Sequence, residues 1–74
     1  MKLNLLSCDV QRPDKRAIAN CILTISQAMD ELLANELTSL LLEGEIIEID
    51  LIDSNISSAF RALRKLSVDY EILD

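Results

Sequence analysis

The chain has 74 residues, of which half are apolar, two are aromatic and one is glycine, so a core must be built from aliphatic side chains. Seven basic and thirteen acidic residues give a net charge of −6. This length fits a single compact domain, residues 1–74, and the negative charge argues against a protein that binds nucleic acid or an anionic membrane surface.

The cysteine content predicts neither a metal centre nor a catalytic thiol. Cys8 and Cys21 do not form a CxxC pair and the chain contains no histidine, so a zinc site lacks ligands. The first residues hold a short apolar run, interrupted by Asn4 and Ser7, that is too short for a signal peptide or a membrane span. We therefore expect free thiols, no cofactor, and a complete cytoplasmic protein that does not associate with membranes.

The chain is expected to begin with a strand, residues 2–10, because this stretch is short and mixed apolar. A helix should follow it. Pro13 is expected at the first helical position, where its missing N–H costs nothing. Asp14 is expected in the first turn, where the helix dipole favours a negative charge.

Helical periodicity then runs from residue 13 to residue 42. Apolar residues recur there at helical spacing, namely Ile18, Ile22, Ile25, Met29, Leu32, Leu33, Leu37, Leu40 and Leu41. An unbroken helix of this length would measure about 45 Å, whereas a compact domain of this size is roughly 30 Å across. We predict a break between Thr24 and Met29, with Ser26 or Asp30 capping a second helix. The alternative is one long helix covered by a second copy of the chain.

Gly44, the only glycine, is well placed to end the second helix in a left-handed conformation. The segment after it, EIIEIDLID, alternates apolar and acidic residues. Ile47, Ile49 and Leu51 fall on one side of an extended chain and the carboxylates fall on the other. This alternation predicts a strand with one buried face.

Asp53 or Ser54 is expected to cap a third helix. The buried stripe of that helix is predicted to contain Ile56, Ala59, Phe60, Leu63 and Leu66. The last segment, VDYEILD, alternates again and predicts a closing strand. The order β-α-α-β-α-β predicts an α+β fold, a small three-stranded antiparallel sheet with three helices packed on one face.

The acidic segment from residue 40 to residue 55 is the best candidate in the sequence for metal or acid–base chemistry. It contains Glu43, Glu45, Glu48, Asp50 and Asp53. A metal ion requires oxygen ligands gathered around one point, and an acid–base pair requires carboxylates that converge across a cleft. Alternation along a strand points these side chains into solvent instead. The serines also lack a histidine to activate them, so we do not expect an enzyme.

Six of the seven basic residues form two groups, one at the start of the first helix and one on the last helix. They are Arg12, Lys15 and Arg16, and Arg61, Arg64 and Lys65. Two interpretations remain open. These residues are either solvent-exposed charges that balance nearby acids, or a docking surface for an acidic segment of a partner protein.

A second candidate interface is apolar. With all helices on one side of the sheet, the other side is expected to carry some of Leu6, Cys8, Val10, Ile46, Ile52 and Leu73. The segment ELLANELTSLLLEG also has more leucines than one buried stripe requires. Because small monomers rarely leave such patches exposed, self-association into a homo-oligomer is a hypothesis to test.

The element order, with DVQRPDKRAIAN after the first strand, resembles a fold shared by two families. These are the C-terminal domain of the bacterial ribosomal stalk protein and the ClpS adaptor of the Clp protease. In the stalk domain a segment Asn-Lys-x-Ala-x-x-Lys opens the first helix and contacts translation factors. DKRAIAN matches that segment at Lys15 and Ala17 and departs from it at Asn20. ClpS holds an amino terminus with an Asn-Asp pair and a histidine, where SCDVQRP offers Asp9 and Pro13.

The resemblance implies a domain that binds proteins rather than one that catalyses a reaction. We therefore predict a non-catalytic protein–protein interaction module, either adaptor-like or self-associating, whose partner is another protein. The alternative is an acidic inhibitor or immunity-type protein whose carboxylate face mimics nucleic acid for a basic partner.

Overall fold

The computed structural model describes residues 1–73, with position 55 described by its backbone alone. Its elements follow the predicted order, with a short 3₁₀ turn, Asp53–Asn55, before the third helix. They are β1 (Lys2–Cys8), α1 (Lys15–Ile25), α2 (Glu31–Leu42), β2 (Ile47–Asp50), α3 (Ile56–Lys65) and β3 (Val68–Ile72). The longest dimension is 31 Å, and the predicted α+β class is confirmed.

The predicted break between the first two helices is confirmed. α1 ends at Ile25, and Asp30 caps α2 by accepting a hydrogen bond from the Leu33 N–H at 2.7 Å. Ser26 is not the cap, because it pairs instead with Leu51 beyond the end of β2. The turn between the helices therefore lies against the sheet edge.

Two helix starts differ from the sequence prediction. Asp14, and not Pro13, opens α1, because its carboxylate accepts a hydrogen bond from the Ala17 N–H at 3.1 Å and takes the capping role. Pro13 therefore lies before the helix. The chain enters α3 through the 3₁₀ turn that contains Asp53 and Ser54, and the Asp53 carboxylate lies 3.3 Å from the amino group of Met1.

The end of α2 is formed as predicted. Gly44 has a φ of +96°, a conformation that a residue with a side chain rarely adopts. Its N–H donates to the Leu41 carbonyl at 3.1 Å, and the Glu45 N–H donates to the Leu40 carbonyl at 3.0 Å. This pair of bonds satisfies carbonyls that the helix end would otherwise leave unpaired.

The sheet has the order β2-β1-β3 and is antiparallel throughout, as predicted. β1 is central, so Leu3 lies opposite Ile49 and Ile72, and Leu5 lies opposite Ile47 and Tyr70. Leu3 and Leu5 are fully buried, since the helices cover this side of the sheet. The Phe60 and Tyr70 rings stack at 5.0 Å and fix α3 on β3.

The other side of the sheet has no helix and is polar in its middle. Asn4 lies between Glu48 and Glu71, and Lys2 lies opposite Asp50. The apolar residues expected here were Leu6, Cys8, Val10, Ile46, Ile52 and Leu73. Leu6 is at an irregularity in the β1–β3 register and Cys8 lies opposite buried Val68. The other four lie outside the strands and are 37–62% exposed, whereas carboxylates occupy the strand interiors, so an apolar interface through these four residues stays a prediction.

Candidate functional site

A groove of about 560 Å³ runs between α1 and α3. Its walls are formed largely by small side chains, namely Ala17, Cys21 and Thr24 of α1 and Ser58 and Ala62 of α3. On each helix these residues recur at helical spacing, so they share one face. Because short side chains face each other here, the two helices leave space between them.

The floor of the groove is apolar. Ile25 and Ala59 are buried, and Leu66 is half-buried at the end where α3 leads into β3. Ile52, one of the predicted apolar interface residues, lines the opposite end and is 38% exposed. A cleft of this volume and lining falls within the range of about 300–1,000 Å³ typical of binding sites.

Cys21 places a free thiol in the groove wall. Burial raises the pKa of this thiol, so it stays protonated at neutral pH and is a poor nucleophile. The Cys8 thiol is also free and lies 3.5 Å from the Leu66 carbonyl, to which it donates. Both cysteines are half-buried, and Cys21 acts as an apolar wall residue.

The fold brings the two basic groups to the same end of the molecule. The Asp9 N–H donates to the Ser67 carbonyl at 3.1 Å, so the segment that leads into α1 starts beside the end of α3. Lys65 accordingly lines the same groove as Ala17, the neighbour of Arg16 in sequence. Sequence position alone does not reveal this convergence, because the two groups are far apart along the chain.

All six cations of the two groups are exposed. Within residues 1–73, the ion pairs are those of the Met1 amino group with Asp50 and Asp53, at 3.5 and 3.3 Å. The interpretation that the basic groups balance nearby acids therefore finds no ion pair to support it among the described side chains.

Two of these cations flank the groove and define what we call the basic rim: Arg61 and Lys65. Lys65 lines the groove directly. Arg61 lies one helical turn before Lys65 on the same helix, so it projects beside the opening. Arg16 instead lines a neighbouring cleft between α1 and α2, together with Glu31. Arg12, Lys15 and Arg64 extend the positive charge around the same end of the molecule.

The open face of the sheet has the opposite charge. It carries Glu48 and Asp50 from β2 and Asp69 and Glu71 from β3. The Ser7 hydroxyl donates to Asp69 Oδ2 at 3.3 Å. Asp69 raises the pKa of the neighbouring Asp9, first through a hydrogen bond between the carboxyls and then through charge repulsion.

Two carboxylates of the acidic segment, those of Asp50 and Asp53, meet at the Met1 amino group. Glu48 and Asp50 lie on the open face and Asp53 lies beside Met1. Among the residues that the structure describes, no group of three His, Cys, Asp or Glu side chains is arranged to hold a metal ion. None of the helices in that part of the chain has the length and apolar character needed to cross a bilayer.

The outer face of α2 exposes leucines, as the excess of leucines in its sequence indicated. Leu32, Leu33 and Leu40 are 74%, 40% and 42% exposed. The opposite face of α2 is buried through Ala34, Thr38 and Leu41. α2 therefore has one apolar face packed in the core and a second one in solvent.

Comparison with known proteins gave no match: no family model, no curated protein and no solved structure is significantly similar to this chain. The resemblance to the ribosomal stalk domain and to ClpS thus stays a prediction from element order and the short segments around Lys15 and Asp9. A functional conclusion therefore depends on the chemistry of the groove and of the two charged surfaces.

The groove residues were missed at the level of sequence. The sequence interpretation considered only the apolar stripes of the two helices. Beside the stripe of α1 lie Ala17, Cys21 and Thr24, and beside the stripe of α3 lie Ser58 and Ala62. The signal that was available is a row of small residues at helical spacing on each of two helices. Such a row becomes a groove only when the fold places the two helices side by side.

Proposed function

We propose that this protein is a non-catalytic protein–protein interaction module that docks a partner through the groove between α1 and α3 and its basic rim. The observation that supports the proposal is the combination of an apolar groove with the unpaired cations of the basic rim on its α3 wall. A partner segment that inserts apolar side chains and presents carboxylates beside them satisfies both features.

The charges explain how such a partner is selected. The protein is negative overall, so an acidic segment is repelled from most of its surface and attracted only to the end that carries the basic residues. Apolar contact in the groove then supplies affinity, and the rim sets orientation and the rate of association. A cytoplasmic location and kinship to adaptor domains belong to this proposal.

The test is a quantitative pull-down from native lysate with mass spectrometry. The bait is the wild-type chain, and it is compared with the charge reversal Lys15→Glu/Arg16→Glu and the neutralised variant Glu48→Gln/Asp50→Asn. Because docking uses the basic end, a true partner is captured by the wild type and the neutralised variant and lost with the charge reversal. Capture of the same proteins by all three baits contradicts the proposal.

A second candidate function rests on the open face of the sheet. Four carboxylates lie there on the two outer strands, and Lys2, on the central strand, is the one basic side chain among the described residues of the three strands. Such a face suits an acidic inhibitor or immunity-type protein that binds a basic partner in place of nucleic acid. For this candidate the pull-down gives the reverse pattern, with loss of the partner in Glu48→Gln/Asp50→Asn and retention in Lys15→Glu/Arg16→Glu.

A further inference from the structure

We propose that the groove between α1 and α3 binds the outer face of α2 from a second copy of this chain, in a head-to-tail contact. The inference rests on the proposed function in one respect, namely that the groove is a docking surface. It goes further by naming the occupant, which has the chemistry that the groove and its rim require.

The outer face of α2 carries both apolar and acidic side chains. Leu33 and Leu40 lie two turns apart and are each about two-fifths exposed. Glu36 and Glu43 occupy the adjacent positions of the helix surface. Both glutamates are exposed, and within the described part of the chain neither forms an ion pair.

The charges of the two surfaces are complementary because the molecule segregates them. The sequence has no Lys or Arg between Arg16 and Arg61, so α2 carries acidic residues without a basic one. The groove instead is lined by Lys65, with Arg61 one helical turn before it on the same wall. A contact between two α2 helices places like charges together, whereas a contact between α2 and the groove pairs opposite charges.

The geometry makes the contact head-to-tail. α1 contacts both α2 and α3, so the outer face of α2 and the groove are separate surfaces of one molecule. Each copy thus offers its α2 to one neighbour and its groove to another. Such a heterologous contact adds copies one after another unless the rotation between them closes a ring.

Sedimentation velocity of the full chain, from micromolar to millimolar concentration at low salt, measures the association. The mean mass is expected to rise with concentration and to fall when salt is added, because the contact pairs opposite charges at an exposed rim. Two charge-reversed variants identify the surfaces that form the contact. Arg61→Glu/Lys65→Glu alters the groove, and Glu36→Lys/Glu43→Lys alters α2. Each variant alone should associate about tenfold more weakly than the wild type or worse.

Mixing the two variants is the decisive step. The altered α2 of one is now complementary to the altered groove of the other, so the mixture is expected to regain association. A symmetric contact through α2 predicts instead that Arg61→Glu/Lys65→Glu associates as the wild type does. The matched control, Glu48→Lys/Glu71→Lys, reverses two charges on the open sheet face and should leave association unchanged.

A wild-type chain that stays monomeric at millimolar concentration overturns the inference, and so does a mixture that fails to regain association. Neither result affects the proposed function, since the pull-down reports capture of a different protein at the same groove. Circular dichroism of each variant confirms that it is folded before its mass is interpreted.

Discussion

The groove between α1 and α3 and the open face of the sheet are both exposed, but they differ in shape, polarity and charge. The groove is concave, lined by small and apolar side chains, and flanked by cations. The sheet face lacks a helical cover and carries carboxylates on both outer strands. A small protein with a net charge of −6 thus places two of its seven basic residues, Arg61 and Lys65, beside this apolar cleft.

The difference has a simple physical origin. In a strand, alternation sends every second side chain to the uncovered side, where carboxylates are solvated and apolar side chains are costly. On a helix, small residues at helical spacing reduce the bulk of one face without making it polar. The sheet face is therefore built to stay in water, whereas the groove is built to receive apolar side chains.

Substitutions on the two sides of the sheet should show the largest difference in the free energy of unfolding. Leu5→Ala removes a fully buried side chain and is expected to lower the free energy of unfolding by about 2–5 kcal/mol. Glu48→Ala, on the strand next to it but on the open side, should change it by less than about 0.5 kcal/mol. Urea denaturation followed by circular dichroism measures both, and a large loss for Glu48→Ala contradicts an uncovered face.

The floor and the wall of the groove should respond differently to added bulk. Ala59→Leu places a larger side chain where only 3% of the residue is exposed, and overpacking of this kind costs about 1–3 kcal/mol of unfolding free energy. Ala62→Leu adds the same atoms to the wall, where there is space, and should cost less than about 0.5 kcal/mol. Equal losses for the two variants, measured by urea denaturation, exclude an open groove.

The thiol of Cys21 reports on the groove. Because burial raises the pKa of this thiol, alkylation by iodoacetamide at neutral pH should be slower than that of free cysteine. The alkylation rate should keep increasing with pH until the pH is above 9.0, the ordinary pKa of a thiol. The measurement uses the Cys8→Ser variant, in which Cys21 is the single thiol, and a rate equal to that of free cysteine contradicts a buried wall position.

The smallest effect is expected on the open face. Asp69 raises the folded-state pKa of Asp9, so protonation stabilises the folded chain below the ordinary pKa of 3.8, and this stabilisation is lost as the pH rises through the raised value. Asp9→Asn removes the repulsion, so the variant should melt at a slightly higher temperature than the wild type at neutral pH. The gap should close in acid, and a gap that widens there contradicts the carboxyl pair.

The sequence predicted most of the fold and less of the site. Apolar periodicity, the Asp30 cap and the Gly44 terminator are local signals, and the element order and the helix break followed from them. The predicted start of α1, at Pro13, was two residues too early. Pro13 and Asp14 both suit a helix start, and only the side-chain hydrogen bond of Asp14 decides between them. The groove itself, in which Ala17 of α1 and Lys65 of α3 line one cleft, depends on tertiary packing that no local pattern encodes.

The most direct test of the groove as a docking surface is partner capture by the groove-filled variant Ala62→Leu. Its stability is measured first, so that any loss of capture reflects the groove and not unfolding. The protein retained by the wild type should be lost with Ala62→Leu and retained by Glu48→Gln/Asp50→Asn. Retention by Ala62→Leu together with loss by the neutralised variant would show that the acidic sheet face, and not the groove, binds the partner.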